Sequence, residues 1–157
     1  QKSSIESIFR SLYDLKDRAI LELDDDVIKQ IQIEDTKQTF ILKKAAKKWV
    51  LALPKSENSI QNFVGKDILW TLNSLEFESV LVKDPGSMFT GLSNPLISLK
   101  LSDEGGSILT HVLIGNPVTT SNKTHYLKLA KSSTIYTIKK RSLEKILDNL
   151  QKIREKL

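Results

Sequence analysis

Leu96 to Gly115 reads "LISLKLSDEGGSILTHVLIG", and the fold follows from how this stretch is parsed. "LISLKL" and "SILTHVLIG" are two apolar-rich arms, and the polar "SDEGG" lies between them. That is a β-hairpin, in which Gly105 or Gly106 supplies a positive-φ position at the turn. Downstream, "NPVTTSNK" is a polar loop, and "HYLKLA" with "STIYTIKK" makes a second hairpin. Ser142 then stands where a helix needs a capping hydroxyl. Behind it Leu143, Ile146, Leu147, Leu150, Ile153 and Leu157 fall at helical spacing, so the chain closes on an amphipathic helix.

Upstream the same grammar appears. In "VIKQIQIE", Val27, Lys29, Ile31 and Ile33 point one way and Ile28, Gln30, Gln32 and Glu34 the other, a strand with one mostly apolar face. "TFILKK" and "KKWVLALP" follow as strands, and Pro54 ends the second by removing an N–H donor. Three antiparallel strands are the simplest reading. A helix then runs from Ser59 to about Leu75, with Ile60, Phe63, Val64, Ile68, Leu72 and Leu75 as its buried stripe and Trp70 flanking it. Gly65 inside that helix costs roughly 1 kcal/mol against alanine, so a close packing partner is expected there. "ESVLVKD" reads as a strand broken by "DPG", and "MFTGLSNP" as a loop or a single helical turn. Strands then helix, twice over, is an α+β class with antiparallel sheets in two similar halves.

The ends raise a separate point. "SIESIFRSLYDLKDRA" from Ser4 to Ala19 falls in register with "SLEKILDNLQKIREKL" from Ser142 to Leu157, with Ser, Glu, Ile and Leu shared at Ser4/Ser142, Glu6/Glu144, Ile8/Ile146 and Leu12/Leu150. Two amphipathic helices share apolar positions in any case. The alternative is a tandem arrangement, with the first helix ending a preceding copy of the module. The organisation is thus an N-terminal helix over 1–18 and a single α+β module over 19–157, with halves of about 19–83 and 84–157. Because the first residue is Gln, the chain is expected to be processed or trimmed.

Composition excludes several classes. At 157 residues, 39% hydrophobic and 27% charged, the chain suits one folded domain. It has no cysteine, so disulfide frameworks, thiolate catalysis and cysteine-based zinc or iron–sulfur sites are ruled out together. The net charge is +5, spread along the chain with clusters only at Lys43, Lys44, Lys47, Lys48 and at Lys139, Lys140, Arg141. Such runs read as solvated faces and strand ends.

The run "LKDRAILELDDDVIKQIQIE" resembles the opening of a bacterial domain-of-unknown-function family, found among envelope proteins encoded beside gliding-type ABC transporter components. Asp24, Asp25, Asp26 and Val27 match its acidic turn before a Val-led strand. Trp49, Leu51 and Pro54 match a Trp-x-Leu-x-x-Pro strand, and "NFVGKDILWTLNSLE" the helix that follows. Phe89, Gly91, Leu92 and Pro95 match an aromatic and Gly-Leu-x-x-Pro element, Ile114 and Gly115 a strand ending in Gly, and Tyr126 and Tyr136 the later Tyr-bearing strands. The resemblance covers nearly the whole chain. It implies a periplasmic module anchored to the inner membrane by an N-terminal segment of the parent protein, with protein partners that include ABC transporter subunits. It carries over no catalytic, cofactor or metal residues. Asp26, Val27, Trp49, Pro54, Gly91, Leu92, Pro95, Gly115, Tyr126 and Tyr136 are expected to be architectural.

Chemistry-bearing patterns are sparse. His111 shares a strand face with Leu109 and Leu113, where a hydrogen-bonded core or interface histidine is expected; His125, ahead of a strand, is expected to be exposed. Two histidines without HExxH or a third ligand do not make a transition-metal site. Asp24, Asp25 and Asp26 lack the spaced ligands of a calcium loop. "VGKD" lies in a helix and lacks the upstream glycine of a P-loop, and no G-x-S-x-G is present. Asp17 with Glu22, and Asp103 with Glu104, show no sign of burial that would make a glycosidase pair. The expected function is therefore a non-enzymatic binding or scaffold module, without cofactor, whose free sheet edges suit protein contact by added strands. A sheet that binds lipid or glycan is a further possibility. The main alternative is a basic nucleic-acid-binding domain: the charge speaks for it, while 6% aromatics and the lack of an RNP-like strand or recognition helix speak against it.

Overall fold

The strands fall where the alternation places them, in a computed structural model of the chain that describes residues 18–55, 60, 63–119 and 123–157. In chain order they are β1 (Gln30–Asp35), β2 (Thr39–Ala45), β3 (Lys48–Leu53), β4 (Phe77–Val80), β5 (Ile97–Ser102), β6 (Ile108–Pro117), β7 (Thr124–Leu129) and β8 (Ile135–Lys139). The helices are α1 (Phe63–Asn73) before β4, the one-turn α2 (Ser87–Thr90) before β5, and α3 (Lys140–Arg154) after β8. The hairpin at Leu96–Gly115 forms as read, with Gly106 at φ 85 supplying the turn.

The class is α+β. The strands of both halves, however, join one antiparallel sheet of eight strands, in the order β3-β2-β1-β5-β6-β7-β8-β4. The join is the β1–β5 ladder, Gln30↔Ser102 to Asp35↔Ile97. β4 crosses to the far edge and pairs with β8. Residues 1–17 of the expected N-terminal helix over 1–18 and the Ser59 start of α1 lie outside the described residues.

Because direct partners in an antiparallel ladder share a face, the register sorts the side chains. One face carries Ile31, Ile33, Phe40, Leu42, Trp49, Leu99, Val112, Ile114, Leu127 and Ile138, all buried under α1 and α3. Trp49 packs on the glycine that the sequence marks out. A Cβ at Gly65 would sit 2.3 Å from Trp49 Cγ, so the ring occupies the space any side chain would need. From β1, Asp35 pairs with Arg154 in the last turn of α3 and accepts from the backbone N–H groups of Lys37 and Gln38.

Several local expectations are corrected. The closing helix starts at Lys140, with Lys139 at its N-cap and no side-chain cap, so Ser142 lies inside it. β8 runs into α3 without a loop, and the Lys140 N–H donates instead to the carbonyl of Lys123. The buried face of α1 is Val64, Gly65, Ile68, Leu69, Thr71 and Leu72, which turns Phe63 and Trp70 outward. Leu147 and Leu157 are likewise exposed. Val27 and Ile28 precede β1 in a turn closed on the Asp24 carbonyl, so the strand alternation begins at Gln30.

Candidate functional site

Among the described residues no long helix covers the sheet's other face, which changes character from one end to the other. One row across it runs Lys43, Gln30, Ser102. The next runs Ile41, Gln32, Lys100, His111. The third runs Glu34, Ser98, Leu113, Lys128, Ile135. Polar groups dominate over β1, β2 and β5, and apolar ones gather over β6, β7 and β8.

Residues 81–96 form a strap over that apolar end. Its inner side chains Leu81 and Leu92 meet Leu113, Tyr126, Ile135 and Val118 in a second, smaller core. Two glycines let it close. At Gly115 a Cβ would stand 2.1 Å from the Thr90 carbonyl oxygen, so the strap backbone lies directly on β6. Gly91, at φ 65, ends α2 in a left-handed conformation, where a Cβ would also strike the Asn116 side chain. That side chain donates from Nδ2 to the Phe89 carbonyl at 3.2 Å. On the strap's outer side Val82 is fully exposed, Met88 is 89% exposed and Phe89 58%. These are three large apolar residues on one tethered segment.

The motif positions divide accordingly. Gly91, Leu92, Gly115 and Tyr126 converge on the strap, and Pro95 leads from it into β5, where the Leu96 N–H bonds to the Ile114 carbonyl. Tyr136 lies on the helix-covered face, its ring stacked 5.4 Å from Phe77. Trp49 is in the main core, Pro54 follows β3, and Asp26 and Val27 are exposed in the acidic turn. Nothing local in the sequence marks Gly91, Leu92, Gly115 and Tyr126 as neighbours.

His111 and Ser98 face each other on the open side, with Oγ 2.7 Å from Nε2. Partial burial, reinforced by the charge of Lys100 and opposed by Glu34, holds the His111 pKa below the usual histidine range. The pair has a nucleophile and a base in reach, but β5 is laddered on both sides to β1 and β6. The amides of β5 are thereby committed to its two ladders, so the strand itself offers Ser98 no free pair of N–H groups. The hydrogen bond satisfies a buried serine. His125, expected outside, is buried, and its Nδ1–H donates to the Gly115 carbonyl at 3.1 Å. Among the described residues no three His, Cys, Asp or Glu side chains gather as metal ligands.

No family model, curated protein or solved structure matches the chain. Among the described residues no helix is long and apolar enough to cross a membrane.

Proposed function

We propose that the chain is a non-enzymatic binding or scaffold module that presents a rigid sheet and its strap to protein partners. It works in the periplasm, as part of a membrane-anchored accessory protein of an ABC-type transport or gliding-like system. The observation that carries the binding reading is the outward display of Val82, Met88 and Phe89 on a strap whose inner side is packed on the sheet. Large apolar side chains held out together mark a contact surface. The envelope setting rests on the order of the family motifs. The module's two halves are repeats of one strand-and-helix unit in this reading; β1–β3 leading to α1, and β5–β8 leading to α3, support it.

The test is to crosslink the domain to envelope membranes and identify the bound proteins by mass spectrometry, for the native chain and for Met88→Ser with Phe89→Ser. Transporter subunits recovered with the native chain and lost with the variant are the expected result. Recovery of nucleic acid alone, released by added salt in proportion to the phosphates contacted, would overturn the reading in favour of the basic nucleic-acid-binding domain.

A further inference from the structure

The sheet's two outer edges are guarded. β3 is followed directly by Pro54 and carries Lys48 at its start, beside Lys47. β4 is four residues long, and its Phe77 N–H is taken by the Arg18 carbonyl. Short length, lysine and proline are the devices that keep sheet edges from pairing with strangers. Inside the sheet there is a third edge without them. β6 pairs with β7 only from Val112 onward, through Val112↔Leu129, and the ladder ends where the Ala130 N–H reaches the His111 carbonyl at 2.9 Å. β7 then turns away, the Ser132 N–H bonding back to Leu129. Ile108, Leu109 and Thr110 continue as strand; Ile108 and Thr110 pair with β5 around a bulge at Leu109, and among the described residues no strand lies on the other side.

The gap is a cleft of about 700 Å³, lined by Ile108, Leu109, Thr110, His111 and Leu129, with Lys131 at its rim. Ile108 and Leu109 are about half exposed there. We infer that this cleft takes an extended peptide segment of a partner protein, which adds as a strand to Ile108–Thr110 in the place β7 vacates. The geometry selects the occupant. The segment without a β7 partner spans roughly 10 Å of strand, and extended backbone is the group that meets the N–H and C=O groups that alternate residues turn to that edge. The cleft beside Leu109 and Leu129 receives an apolar side chain. Lys131 lines the rim and Lys100 lies beside His111. Of the nearby carboxylates at the hairpin tip, Asp103 accepts from the Ser107 N–H and Glu104 is exposed at the turn. Cationic charge at the β7 side therefore favours a peptide with one acidic residue near Lys131. The inference rests on the binding-module reading but uses a surface other than the strap.

The experiment is selection from a phage-displayed library of random nonapeptides on the whole chain, followed by amide hydrogen exchange with a synthetic winner. Enriched peptides should alternate apolar residues and carry an acidic one, and they should slow exchange at the Ile108–His111 amides that face the cleft, but not at Thr110, which pairs with Leu101 of β5. Leu109→Lys, at an exposed position that leaves the fold intact, should weaken binding about tenfold or more. Lys131→Glu should shift the selection toward basic residues. No enrichment, or winners that bind Leu109→Lys equally well, would overturn the inference. So would a concentration-dependent dimer of the chain protecting the same amides, because the occupant would then be a second copy. Loss of this binding with the strap-dependent crosslinks retained would refute the cleft alone; the reverse would refute the strap reading.

Discussion

The two faces of the sheet are closed in different ways. Under α1 and α3 the covered side chains of β5, β6 and β7, such as Leu99, Val112, Ile114 and Leu127, are sealed completely. Under the strap, Leu92 remains 9% exposed and Tyr126 8%, and the cover is an irregular segment with a single helical turn. Helices bring a continuous apolar stripe to a sheet, whereas a strap brings a few side chains and depends on close backbone approach. The helix-covered face thus supplies most of the stability. The strap-covered face is the part able to open locally.

The largest test of that contrast is Leu99→Ala. It removes a fully buried side chain from the main core and should lower stability by about 3 kcal/mol in denaturant titration. A loss of under about 1 kcal/mol would mean that the helices do not dominate. Gly115→Ala should cost less, about 1–2 kcal/mol, since the strap can lift away from the new methyl. Its signature is local: hydrogen exchange should accelerate at the Gly91 and Asn94 amides, whose bonds belong to the strap, while the amides of β1 and β5 stay protected. Uniform acceleration would show that the two layers unfold as one.

Asp35→Asn sharpens the helix side and should cost about 1 kcal/mol at neutral pH. Partial burial raises the Asp35 pKa, but the N–H groups of Gln38 and Lys37 and the Arg154 guanidinium outweigh it, leaving the carboxyl below its ordinary range. A depressed carboxyl stabilises the fold above its unfolded pKa of about 3.9, and that contribution is lost as pH falls through the folded value. The native chain should therefore lose stability in acid more steeply than Asp35→Asn. Parallel pH profiles would show that the pair contributes nothing.

Much of the architecture was legible because it is local. The alternation of β1 and β5, the Gly106 turn and the stripe of α3 each lie within a dozen residues, and hydrophobic period reports them directly. The pairing of β1 with β5 was not legible, because their separation in the chain leaves no local mark of register. Phe63 and Trp70 show the limit of period: it finds a helix, while the tertiary neighbours decide which flanking residue is covered. Gly65 advertised a close contact without naming Trp49 as its partner. The strap shows in the sequence only as "MFTGLSNP", a loop or a single helical turn, and the turn is there as α2; its seat on Gly115 depends on two segments meeting in space. His125 was misplaced for a similar reason, since its buried partner is a carbonyl on another strand.

The β1–β5 ladder also sets an order of events during synthesis. β1, β2 and β3 pair with their chain neighbours and can form a three-stranded meander as soon as they emerge. The free side of β1 then waits for residues 97–102, and β4 waits for β8 at the very end. Until the second half is made, a nascent chain carries an open, apolar strand that its own later sequence must cover, and that interval is when association with another nascent copy competes most strongly with folding.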